Sequence, residues 1–167
     1  MDESFYEKGL KEYNKENYLH AFACFENSVK HEKYPDSYYY LAEIYLKKYK
    51  GLDLLSSNIN LSFLCSINGI NESSELCLQA FIKYFILEYE KVDFLSDCIL
   101  LFLKHYKKEI DTKLRLDLFN IIDFWFNKER KANKPPKQIL KNINLFIENS
   151  NDKFIKAFLK AKINEIY

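Results

Sequence analysis

Apolar residues recur at helical spacing along almost the whole chain. Phe5, Tyr6, Leu10 and Tyr13 form one stripe. After the polar break Lys15-Glu16-Asn17 the pattern resumes with Tyr18, Ala21, Phe22, Cys24, Phe25 and Val29, which predicts a helical hairpin. Pro35-Asp36 stops that segment and caps a helix through Leu41-Ala42-Glu43-Ile44-Tyr45. Residues 47–53 read as an extended loop before a helix ending at Cys65-Ser66-Ile67-Asn68-Gly69, with Gly69 suited to the left-handed position past a helix end. Asn71, with Glu72 and Glu75, is predicted to open the next helix, which carries Ala80 and Tyr84, and a partner helix runs from about Asp93 to Tyr106. Residues 114–126 are so densely apolar that their helix must be covered on most sides, by neighbours or by a partner chain. Trp125 there is both a core residue and a candidate interface anchor. A basic linker breaks this helix before Pro135, and Pro136 starts the next. Two amphipathic helices follow, one with Ile139, Leu140, Ile143 and Phe146, the other with Phe154, Ile155, Phe158, Leu159, Ile163 and Ile166. The pattern predicts about nine helices.

The stretch Gly9 to Val29 resembles the tetratricopeptide repeat, with Gly9, Ala21, Phe25 and Ser28 at the small, small, aromatic and small positions of that family's pattern. The helix A aromatic is displaced to Tyr13, four residues after Gly9. A second unit lies 33 residues on, with Ala42 and Tyr45 at the small and aromatic positions, and its longer loop is similar to the Sel1-like variant. The resemblance implies a right-handed α-α superhelix of stacked helical hairpins over residues 1–108, and residues 109–167 are expected to pack on it as a C-terminal helical cap, the whole forming a single domain. It also implies a concave groove lined by the first helix of each pair, where Tyr6, Leu10, Tyr13, Tyr39, Glu43, Leu46 and Lys47 are the candidates. The chaperone-tail subclass of the family carries a carboxylate clamp of Lys and Asn; here those places hold Tyr6, Leu10 and Tyr40, so a chaperone C-terminus is not the expected ligand.

Composition supports the all-helical reading. Glycine and proline together make six of 167 residues, under 4% against a usual share of about 12%, which disfavours hairpin-rich sandwiches and barrels. The longest apolar run is the six residues Cys98–Leu103, far from the roughly 20 that cross a bilayer, and the acidic start lacks the pattern of a secretion signal. The expectation is a cytoplasmic protein without membrane contact. Cys24, Cys65, Cys77 and Cys98 have no paired spacing and read as reduced core thiols.

Charge is polarised along the chain. Residues 1–103 carry 10 Lys against 16 acidic residues, and residues 104–167 carry 15 Lys and Arg against 8. Lys128, Arg130, Lys131, Lys134, Lys137 and Lys141 crowd the linker, while Lys153, Lys156 and Lys160 follow one another at helical spacing. Such a patch can neutralise phosphates without reading sequence.

Candidate catalysis is sparse. The three histidines are isolated, and His31-Glu32-Lys33-Tyr34-Pro35 starts like a zinc-protease motif but has proline at the second ligand position. Glycines stand only at 9, 51 and 69, so no glycine-rich phosphate loop can be written. The expectation is a non-catalytic adaptor or accessory subunit of a larger assembly, with no cofactor, metal or small-molecule substrate. The alternative is an RNA- or ribosome-associated factor that binds through its basic C-terminal half.

Overall fold

The computed structural model describes residues 3–46, 59–106 and 109–166. Among them lie nine α-helices and no strand: α1 Phe5–Asn14, α2 Tyr18–Asn27, α3 Ser37–Leu46, α4 Ile59–Asn71, α5 Glu75–Glu88, α6 Leu95–His105, α7 Thr112–Lys131, α8 Pro136–Asn149 and α9 Lys153–Asn164. No helix among the described residues is long and apolar enough to cross a membrane. The chain divides into two compact units, Met1–Tyr84 and Phe85–Tyr167, where a single domain with a boundary near residue 108 is expected, and the division falls inside α5.

In the first unit α1 packs on α2, α2 on α3 and α3 on α4, so successive helices form two hairpins. Ser4 opens α1 with a capping box, its hydroxyl accepting from the Glu7 amide while the Glu7 carboxylate accepts from the Ser4 amide. The helix ends on Glu16 in the left-handed region, with the Asn17 amide donating to the Glu12 carbonyl at 2.9 Å. Beyond α2 the chain runs through a π-helical turn, Ser28–Glu32. Ala21, Phe25, Leu41 and Ile44 form a buried core against which Tyr6, Leu10, Tyr13, Phe22, Tyr38 and Tyr40 are packed.

Two expectations are corrected here. Gly69 lies inside α4, not past its end: a Cβ there would stand 2.9 Å from Cys77 Cβ, 3.0 Å from Tyr38 Cβ and closer still to Cys77 Sγ. The glycine admits neighbouring helices to close approach, and Ser73 takes the left-handed position. Asn71 is the last residue of α4; α5 is opened by Ser74, whose hydroxyl accepts from the Cys77 amide and donates to Asp36 Oδ1 at 2.6 Å.

In the second unit α6 packs on α7 and α8, α8 on α9, and α9 on α7, which closes a ring of helices. Helix α6, expected to complete a third hairpin of the stack, thus shares a core with the three C-terminal helices. That core holds Cys98, Phe102, Leu118, Ile122, Trp125, Phe126, Ile143, Phe146, Ile155 and Leu159. Trp125 is 1% exposed and meets Phe146 edge-on at 5.0 Å, so it is a core residue and not a surface anchor. Asp111 and Asp152 cap α7 and α9 through their side chains.

Candidate functional site

The residues expected to pack the repeat come together in the first unit. Gly9 faces Phe25 so closely that a Cβ would meet the ring at 2.7 Å, and the same ring stacks on Tyr40 of α3 at 4.7 Å and 9°. Ala21 and Ala42 are buried, and the Ala42 carbonyl accepts a hydrogen bond from the Ser62 hydroxyl of α4 at 2.8 Å. Ser28 is buried and accepts from the Ser37 hydroxyl at 2.9 Å. Tyr45 is half-buried, edge-on to Phe22 at 5.4 Å.

Around this packing lies a tyrosine face. Tyr6, Leu10 and Tyr13 of α1 and Tyr39 and Leu46 of α3 are all half-buried. The Tyr6 ring stacks on Tyr34 at 4.1 Å and meets Tyr40 edge-on at 6.1 Å; Tyr13 meets Tyr40 at 5.2 Å and Tyr18 at 5.4 Å. Tyr40 is the hub of the cluster, touching Tyr6, Tyr13, Phe25 and Tyr39, yet the groove candidates read from the sequence left it out. The clamp place that Tyr40 holds in the family's pattern, and the run Tyr38-Tyr39-Tyr40, are the signals in the sequence that point there.

Glu43 departs from the expected groove position. It is 4% exposed, and its Oε1 accepts the Tyr84 hydroxyl at 2.5 Å, so it joins α3 to α5 and does not line an open surface. Lys47 lies outside the described residues. Burial raises the pKa of the Tyr6 and Tyr84 phenols, reinforced by Tyr40 beside the first and by Glu43 beside the second. Both stay neutral at physiological pH and act as hydrogen-bonding hydroxyls. Half-buried tyrosines offer a large amphipathic contact area at low conformational cost.

The basic residues fall into two groups. Lys128, Arg130 and Lys131 end α7, Lys134 lies in the turn, and Lys137 and Lys141 sit in the first two turns of α8; all six are exposed. Lys153, Lys156 and Lys160 belong to α9, with the Lys153 ammonium 5.1 Å from the Phe154 ring centre.

A cleft in the second unit was not anticipated from the sequence. It encloses about 500 Å³ among residues that include Phe102, Tyr106, Arg115, Asn151 and Phe154. Its one guanidinium is already engaged: Arg115 donates to Asp152 Oδ2 from Nε at 3.1 Å and from Nη2 at 2.9 Å, donates to the Ile110 carbonyl, and lies 4.7 Å over the Phe154 ring. Burial pushes the Asp152 carboxyl up, but Arg115 and the amides of Ile155 and Phe154 outweigh it and hold it below the usual carboxylate range. All four cysteines are free thiols, with Cys77 and Cys98 buried, and burial pushes Cys65 up to about 12 and Cys77 up to about 11. Among the described residues no group of three His, Cys, Asp or Glu side chains could hold a metal ion. Compared with family models, with curated proteins and with solved structures, this chain matches none.

Proposed function

We propose that this protein is a non-catalytic, cytoplasmic adaptor or accessory subunit, built on tetratricopeptide-like helical hairpins, that holds a protein partner on the tyrosine face of its first unit. The observation that carries this reading is the Gly9–Phe25–Tyr40 contact. A ring that fits where glycine has no side chain and then stacks on the next helix is the packing expected if one hairpin is laid on another. Tyr6, Leu10, Tyr13 and Tyr39 are half-buried, and the repeat reading assigns them to the face on which such stacks bind extended or helical segments.

The test is retention of a partner from nuclease-treated extract of the protein's own cells, comparing the wild type with Leu10→Glu/Tyr39→Glu. The reading expects the double variant to lose the partner while keeping its helical circular dichroism and cooperative melting. A folded double variant that retains the same partner overturns it.

A further inference from the structure

The corner between α7 and α8 differs from the rest of the surface. Within residues 128–141 there are six basic residues against one acidic residue, Glu129. Glu129 is buried, and its carboxylate lies 2.9 Å from the Lys134 ammonium, so it offers the corner little open negative charge. Lys128 is held by the Val92 carbonyl at 3.3 Å, and Arg130 lies 5.6 Å over the Phe126 ring. Lys131, Lys137 and Lys141 are exposed and make no ion pair with, and donate no hydrogen bond to, any described residue. Lys137 and Lys141 stand one turn apart on α8, about 5–6 Å between their Cβ atoms.

The corner is also ordered by its backbone. Asn133 takes the left-handed conformation, its amide donates to the Arg130 carbonyl, and the Lys134 amide donates to the Glu129 carbonyl. Pro135 and Pro136 then start α8 without a side-chain cap. The cations are therefore displayed on a fixed bend.

What covers such a surface follows from what it lacks. Residues 127–138 are exposed except for the buried Glu129, none of the large exposed hydrophobic side chains falls in residues 127–141, and the one large apolar side chain at the surface of that span is the half-buried Leu140 between Lys137 and Lys141. A docked protein needs an apolar centre to its interface, and a peripheral membrane contact gains much of its strength from apolar insertion. A polyphosphate chain needs neither, because neutralising its charges releases condensed counterions. Lysine point charges with no exposed aromatic platform suit backbone contact without base readout. We propose that the α7–α8 corner binds the phosphate backbone of RNA irrespective of base sequence, separately from the tyrosine face of the first unit.

The experiment measures anisotropy of end-labelled uridine and adenosine homopolymers with the full chain, from about 50 to about 200 mM salt, with phosphatidylserine vesicles as a second arm. Equal binding of both homopolymers that weakens linearly with log salt is expected. Lys131→Glu/Lys137→Glu/Lys141→Glu removes three contacts, so the salt slope should fall by about 2 and affinity by about a hundredfold near 0.1 M salt. These side chains are exposed and unpaired, so melting should not change. If the charge reversal unfolds the protein, the same triple replacement by Gln carries the test. A flat salt response, a folded variant that binds like the wild type, strong preference for one homopolymer, or tighter binding to the vesicles than to RNA each overturns the proposal.

Discussion

The Glu32 side chain closes the start of a helix to which it does not belong: its Oε1 accepts the Phe5 amide at 2.6 Å, and Oε2 accepts the Tyr6 amide at 3.1 Å. Burial raises the Glu32 pKa, but the Phe5 amide, the Ser28 hydroxyl and the Tyr6 amide prevail and hold it below its usual value. A carboxyl depressed in the folded state contributes stability above its unfolded pKa and loses that contribution as pH falls through its folded pKa. Glu32→Gln should cost about 0.5–1 kcal/mol at neutral pH. The gap in melting temperature between wild type and variant should close below about pH 4. A gap that does not depend on pH counts against the carboxylate cap.

Close approach at the two described glycines should respond unequally to a methyl group. Gly9→Ala gains up to about 1 kcal/mol of helix propensity but must displace a fully buried Phe25 ring, so a net loss of about 1–2 kcal/mol is expected. Gly69→Ala meets Cys77 and the Tyr38 Cβ, which is fixed to the backbone, and should cost about 3 kcal/mol. Urea unfolding of both variants measures the order; a Gly9→Ala protein as stable as the wild type contradicts the packing described.

Tyr84→Phe removes a hydroxyl hydrogen bond to a buried carboxylate and should destabilise by about 1.5–3 kcal/mol. The reciprocal Glu43→Gln retains an acceptor and should cost less. Thermal denaturation of the two single variants and the double variant gives the coupling, which vanishes if the contact contributes nothing.

Asp152 both caps α9 and receives Arg115 of α7. Asp152→Ala should lose about 2–3 kcal/mol. Because the Asp152 carboxyl is held low in the folded protein, that stability is present above its unfolded pKa and falls away in acid. Calorimetry from about pH 7 to about pH 3 should show wild type and variant converging, and parallel curves would refute the assignment.

The all-helical architecture was legible from the apolar spacing, and Pro136 marked the start of α8 correctly. What escaped was tertiary. Gly69 carries the local signature of a helix end, but the bulk of Cys77 and Tyr38 across from it decides its place, and no local pattern encodes that. Tyr40 became the hub of the tyrosine face because helix α3 turns it towards Phe25, while Glu43, one turn later, is drawn under Tyr84. Nothing in the sequence singles out Lys162. It is buried between the Phe126 and Phe158 rings, paired with Asp123 and Glu165. Each of these depends on which helices meet, and periodicity fixes the faces of a helix without fixing its neighbours.

Helices α1, α4 and α7 all turn their corners on left-handed residues that are not glycine, namely Glu16, Ser73 and Asn133. A left-handed L-residue forfeits roughly 1–2 kcal/mol, less for asparagine, so these bends together withhold a noticeable part of the 5–15 kcal/mol that keeps a typical domain folded. The molecule thus keeps thermal headroom in reserve at its bends, and someone seeking a hardier version would begin with those three sites and leave the aromatic interior alone.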